Sequence, residues 1–225
     1  MTGHRSLWTA ERTRILADLR RMLDDDNEWR AGLDARVVAS ELTFGRGDLP
    51  PVTLRLPSGR TIRLRGSADK VDQARDGTLL VTDLKTGGPG RFAVLRTDPI
   101  AAGTKLQLPL YAFAARDQLG EHPVLAQYWF VRKGRRQGGP ERIAVRLDAE
   151  VQARYLAALD VLVDGIATGL FPARAPDQPD FGWVQCAYCN PDGLGHRAAR
   201  DRWERRRADP LLHWYVALVE PPDAP

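Results

Sequence analysis

The sequence predicts an α/β (α+β) fold, a mixed central sheet flanked by helices. Three observations carry that expectation. A helical pattern opens the chain, a region of alternating strands and tight turns follows, and helices and strands then interleave instead of running in separate blocks.

Trp8, Ile15, Leu16, Leu19, Met22 and Leu23 recur at helical spacing with Arg and Asp between them. They predict a helix over 8–23, ended by the acidic run Asp24, Asp25 and Asp26. Residues 37–44 read as a strand. The alternating runs 52–56 and 61–65 flank Pro57-Ser58-Gly59-Arg60, a hairpin signal. Residues 68–73 continue extended, Asp76-Gly77 makes a turn, and 79–85 is the next strand. These four strands are expected to run as an antiparallel meander.

A loop containing Gly87, Gly88, Pro89 and Gly90 leads through a linker to Gly103, and 105–119 is helical. Strands are expected at 124–131 and 142–147, either side of a Gly/Arg loop. Asp148 is placed to accept bonds from the free N–H groups of a helix running to about Thr168. Residues 171–195 are rich in Pro, Gly and Asp, and a helical pattern returns over 196–218. The chain thus divides into a core, 1–170, which includes the N-terminal helix, and a C-terminal segment, 171–225.

A chain of 225 residues fits one ordinary domain, or one with an appended subdomain. Its 43% apolar and 28% charged residues match a soluble globular protein. No apolar run approaches the roughly 20 residues that span a bilayer. The polar residues 1–5 lead straight into the first helix, which predicts no secretory signal and a cytoplasmic protein without membrane contact. No Gly-rich phosphate loop of dinucleotide or P-loop type occurs, so ATP hydrolysis by this chain is not expected.

A net charge of +4 says little about nucleic acid, but its distribution says more. Arg132, Lys133, Arg135 and Arg136 form one basic cluster; Arg197, Arg200, Arg202, Arg205, Arg206 and Arg207 form another. Either a polyanion or water alone accounts for such clusters. The cysteines are Cys186 and Cys189, a C-x-x-C pair that implies no disulfide framework and fits a reducing compartment.

The strand Leu79-Leu80-Val81-Thr82-Asp83-Leu84-Lys85 puts Val81, Asp83 and Lys85 on one face. In isolation an Asp and a Lys two apart describe an ion pair at a sheet edge. Context adds Asp69, in Gly66-Ser67-Ala68-Asp69 on the preceding strand, which nears Asp83 if the strands pair across Asp76-Gly77. Converging carboxylates repel one another unless a cation lies between them. All-oxygen ligands suit Mg²⁺ or Mn²⁺, and the Lys85 ammonium would position or polarise a water and steady charge on an attacked phosphate. Strand parity groups Asp69 with Arg63 and Arg65 unless Gly66 marks a bulge. Downstream, Gln107 and Tyr111 are four apart on one helix face. Trp129 and Trp183 fit either packing or stacking on unpaired bases, packing being the commoner use of an aromatic.

Gly66, Asp69 and Asp72, then Asp83, Lys85, Thr86 and Gly87, then Gln107 and Tyr111, together resemble the PD-(D/E)XK nuclease superfamily. The RecB-like branch, seen also at the C-terminus of AddB-type helicase–nuclease subunits, is the most similar. Glu41 occupies the place of an acidic residue on the first core strand. The resemblance implies a restriction-endonuclease-like core. It also implies a DNA nuclease, most simply an exonuclease, serving repair, recombination or defence. By the same resemblance Asp69, Asp83 and Lys85 are catalytic. Glu41, Asp69, Asp83 and the carbonyl of Leu84 bind Mg²⁺ or Mn²⁺, Gln107 and Tyr111 lie on the substrate side, and Asp72 is structural, paired with Lys70 or Arg75. DNA is the implied partner, with a helicase subunit or domain alongside. The alternative is a non-catalytic DNA-binding or scaffolding subunit of a helicase–nuclease complex.

Two departures matter. Many relatives carry a metal-contacting His on an upstream helix, where only His4 stands here. This suggests a compact standalone form or an excised domain. AddB-type relatives also hold an iron–sulfur cluster with four cysteines; Gly195 falls where the third would be, and two thiolates do not complete a cluster. Cys186 and Cys189 are therefore expected either as a vestigial thiol pair or as zinc ligands with His196 or His213.

Overall fold

The computed structural model describes residues 5–131, 141–176, 178 and 195–220. The chain forms two compact units, Met1–Leu156 and Ala157–Pro225, and the boundary falls within a helix.

The first unit is a five-stranded mixed sheet. Helix α1 (Arg5–Gly32) leads to β1 (Arg36–Phe44), a separate hairpin of β2 (Val52–Arg55) and β3 (Thr61–Leu64), β4 (Gly66–Gln73) and β5 (Leu79–Lys85). A 3₁₀ segment, Gly90–Arg96, precedes α2 (Gln107–Leu119), β6 (Val124–Phe130), β7 (Glu141–Arg146) and α3 (Ala149–Thr168). The strand order is β1-β4-β5-β6-β7, with β5 and β6 parallel and the other neighbours antiparallel. The parallel pair requires a crossover, which α2 supplies.

Two expectations are corrected. The predicted meander does not form. β2 and β3 bond only each other, while β1 pairs directly with β4 through Thr43↔Ser67 and Phe44↔Gly66. The physical reason is a pinch at two glycines. A Cβ on Gly45, at φ +65°, would lie 2.7 Å from the Arg65 Cβ, and one on Gly66 would lie 2.7 Å from Phe44 Cζ. Only bare backbone lets the hairpin leave and rejoin so tightly. The first helix also passes through its acidic run and continues to Gly32. Asp26 accepts from Arg30 at 3.1 Å and from Lys70 Nζ at 2.5 and 2.6 Å, so its charge is neutralised inside the helix.

The two sheet faces have different partners. On one side α1 docks by the Asp26–Lys70 contact and by a cation–aromatic sandwich. The Arg142 guanidinium lies 4.5 Å from the Trp29 ring and 4.6 Å from that of Trp129. Trp129 is 1% exposed, so it serves packing and not base stacking. Asp72 is fully buried beside Lys70 Nζ, at 3.1 Å, whereas Arg75 pairs with Asp34. On the other side lie α2 and the 3₁₀ segment, whose Phe92 packs on Tyr128 and Phe130 at 4.8 and 5.5 Å.

Asp148 caps α3 as the sequence predicts, its Oδ1 accepting the Val151 N–H at 2.9 Å. In the second unit the single pattern over 196–218 resolves into α4 (His196–Arg206) and α5 (His213–Val219) around a short 3₁₀ turn, Pro210–Leu212. Pro210 has no N–H to continue a helix, and Asp209 caps the restart through the Leu211 N–H at 2.9 Å. Trp203, 1% exposed, donates its indole N–H to Glu220 at 3.0 Å. Arg174 and Arg207 reach the same carboxylate at 3.3 and 2.6 Å.

Candidate functional site

One row of residues crosses the sheet. β4 and β5 pair Lys70 with Thr82 and Val71 with Val81, so the same register, one step on, sets Asp69 opposite Asp83. The parallel register pairs Asp83 with Tyr128. On the far side β1 pairs Ser40 with Lys70 and Leu42 with Ala68, on either side of Glu41. Residues opposite one another on neighbouring strands share a face, so Asp69, Asp83 and Tyr128 form a line. The parity concern dissolves as well. β3 ends at Leu64 and belongs to the separate hairpin, so alternation there says nothing about Asp69.

The structure brings Asp69, Asp83 and Lys85 together. Asp69 Oδ2 accepts the Leu84 backbone N–H at 2.7 Å. Lys85 Nζ lies 2.5 Å from Asp83 Oδ2. That oxygen is buried, and the ammonium lies directly against it. Burial raises the pKa of Asp83; Lys85 works against that rise, the Asp69 charge adds to it, and the Tyr111 hydroxyl works against it. Two carboxylates side by side, one of them buried, suit a hard divalent cation.

Glu41 stands apart. Its backbone is left-handed at φ +52°, and its side chain is exposed. A non-glycine residue held there costs about 1–2 kcal/mol. Among the described residues no group of three His, Cys, Asp or Glu side chains is arranged to hold a metal. The carboxylate pair is thus formed, and the third acid is not gathered in. The Leu84 N–H points toward Asp69, and in extended backbone the N–H and C=O of one residue face the same neighbouring strand. The Leu84 carbonyl accordingly opens on the side of the pair.

Behind the acids lies a polar cluster. Gln107 opens α2, and its Nε2 donates to the Tyr111 hydroxyl at 2.7 Å. Its Oε1 accepts from the Tyr128 hydroxyl at 3.0 Å and lies 3.5 Å from Lys85 Nζ. Lys85 Nζ also stands 4.8 Å from the centre of the Tyr128 ring. Sequence reasoning missed Tyr128. The run Gln127-Tyr128-Trp129-Phe130 signals only a buried strand, and nothing local announces that Tyr128 is the register partner of Asp83.

The remaining expected features fall elsewhere. Cys186, Cys189, Trp183, His4 and the cluster Arg132, Lys133, Arg135 and Arg136 lie outside the described residues. His196 contacts the Pro176 carbonyl, and His213 packs edge-on to Trp214. On α4 the side chains of Arg197, Arg202, Arg205 and Arg206 are exposed, whereas Arg207 pairs with Glu204 and Glu220. No described helix is long and apolar enough to cross a membrane.

Comparison with known proteins supplies the remaining facts. A family model described as the PD-(D/E)XK nuclease superfamily matches residues 2–192. An ATP-dependent helicase/deoxyribonuclease component from Moorella thermoacetica is 33% identical over 166 residues, which is 69% of this chain and 14% of that protein. Proteins of the same name from Symbiobacterium thermophilum and Clostridium kluyveri are 40% identical over 96 residues and 34% over 77. Those matches cover 40% and 32% of this chain but only 8% and 6% of the relatives.

Proposed function

The chain belongs to the PD-(D/E)XK nuclease superfamily, and from that premise we propose that it is a divalent-metal-dependent deoxyribonuclease hydrolysing phosphodiester bonds. The observation that carries the reading is the Asp69–Asp83 pair with the Lys85 ammonium against it.

Mg²⁺ or Mn²⁺, when bound, supplies Lewis acidity toward the scissile phosphate and lowers the pKa of a water. Asp69, Asp83 and the Leu84 carbonyl hold the ion, and Glu41, from β1, is the supporting ligand or water base. Lys85 stabilises charge developing on the phosphate. Gln107 and Tyr111 form the substrate-side layer. Residues 1–170 supply this core and 171–225 an appended segment, whose cysteine pair, Cys186 and Cys189, is vestigial or binds zinc. The exposed arginines of α4 suit the DNA backbone.

The relatives' names pair deoxyribonuclease with helicase. A nuclease fed by a helicase meets strand ends, so we read the activity as exonucleolytic and cytoplasmic, in repair, recombination or defence. A second reading, a non-catalytic DNA-binding component, draws on the absence of a third acid beside the pair among the described residues. Incubating the purified chain with end-labelled single- and double-stranded DNA, with Mn²⁺ and with excess chelator, separates the two. Chelator-sensitive mononucleotide release supports the nuclease; DNA binding with no cleavage in Mn²⁺ supports the non-catalytic reading.

A further inference from the structure

We propose that Tyr128 is a positioning residue of this site. It fixes the direction of a chain of hydrogen bonds, Tyr128 to Gln107 to Tyr111 to Asp83, that holds the Asp83 carboxylate in place for its cation. The inference rests on the metal-site reading above.

Tyr128 is 2% exposed, and its one hydrogen bond among the described residues runs to Gln107 Oε1 at 3.0 Å. A phenol keeps its proton at neutral pH, so the hydroxyl is a standing donor, and the acceptor it meets is Gln107 Oε1. Gln107 Oε1 therefore faces two donors, the phenol at 3.0 Å and the Lys85 ammonium at 3.5 Å. The reversed amide would turn its own N–H groups on the ammonium. The amide is thereby locked with Nε2 toward Tyr111, 2.7 Å from that hydroxyl oxygen. Tyr111 accepts there, so its own hydrogen is free to turn to the Asp83 carboxylate, with which it already interacts. Each step leaves the next group a single role, and the polarity of the whole chain is set at its buried end. Partners that orient a ligating carboxylate in this way tune metal affinity without touching metal or substrate.

The discriminating variant is Tyr128→Phe. It keeps the ring beneath Lys85, 4.8 Å away, and removes only the donor. Mn²⁺ affinity of the full chain, measured by isothermal titration calorimetry, is expected to weaken about ten-fold, the scale of losing a ligand-orienting partner. The Mn²⁺ concentration that half-saturates cleavage moves by the same factor, while KM for DNA stays put. In a Tyr111→Phe background the chain is already cut, so adding Tyr128→Phe changes affinity by less than about two-fold, as coupled sites require. Wild-type Mn²⁺ affinity in Tyr128→Phe, or a full additive loss in the double variant, overturns the proposal. Wild-type protein that binds Mn²⁺ yet cleaves no DNA defeats the nuclease reading alone, because calorimetry still tests Tyr128. A wild type that binds no Mn²⁺ defeats both.

Discussion

Asp83 on β5 and Tyr128 on β6 are register partners across the parallel strand pair of the sheet. The crossover helix between those strands brings Gln107 and Tyr111 over the same spot, where Gln107 bonds Tyr128. A single βαβ unit thus assembles the acid, the lysine and their supporting amide, and β4 contributes Asp69 from the other side.

Asp83→Asn is expected to raise the metal-free Tm by a few degrees while abolishing cleavage. Burial makes the ionised carboxyl costly in the folded state, and a neutral amide removes that cost. Functional sites commonly trade stability in this way. Differential scanning calorimetry in chelator checks it; a lower Tm for the variant contradicts it.

Gly66→Ala is expected to destabilise by about 1–3 kcal/mol, the usual range for overpacking. Its Cβ would sit 2.7 Å from Phe44 Cζ, at the point where β4 rejoins the sheet beside β1. Urea unfolding reads the loss directly, and a variant with unchanged midpoint argues against the pinch.

Gly45 and Gly66 also mark where the sequence is hardest to read. The alternation over 52–65 reveals a hairpin, but pairing partners are a matter of sequence-distant contacts. Nothing in the pattern says that β1 skips it to reach β4. The acidic residues 24–26 look like a helix end because Lys70, which neutralises Asp26, lies far along the chain. Asp148 and the Asp76-Gly77 turn were legible because their partners are local: Val151 for one, Ala74 and Thr78 for the other. The site divides the same way. Asp69, Asp83, Lys85, Gln107 and Tyr111 stand in short spaced motifs, whereas Tyr128 enters only through strand register.

Trp29→Ala is expected to cost about 2 kcal/mol by opening one side of the Arg142 sandwich. Among the described residues the guanidinium Nε and one Nη are buried without hydrogen-bond partners, so the aromatic faces and the charges of Asp26, Asp25 and Asp72 hold the cation. Loss of α1 docking should appear as faster amide exchange along that helix.

Glu220 gives the second unit an acid-sensitive joint. Burial alone would raise its pKa, but hydrogen bonds from Trp203 and Arg174 and the charge of Arg207 hold it below the ordinary glutamate value of 4.5. A depressed folded-state pKa means stability that is present above that value and lost as pH falls through the folded one. Wild type should therefore be more stable than Glu220→Gln at pH 7, with the gap closing below 4.5. Thermal melts of both proteins across that range decide it; a gap that widens in acid has the wrong sign.

Single-turnover cleavage by Lys85→Ala with saturating Mn²⁺ tests the nuclease centre most directly. Lys85 reaches Asp83 from the end of β5 and is itself partly exposed, so the fold should tolerate its loss. Removing a charge that stabilises the reacting phosphate should lower the rate by about 10²–10³-fold. DNA affinity, measured separately by fluorescence anisotropy, should stay within about two-fold, since the groups that bind DNA elsewhere are unchanged. Cleavage by Lys85→Ala at the wild-type rate would contradict the assignment of this site as a nuclease centre.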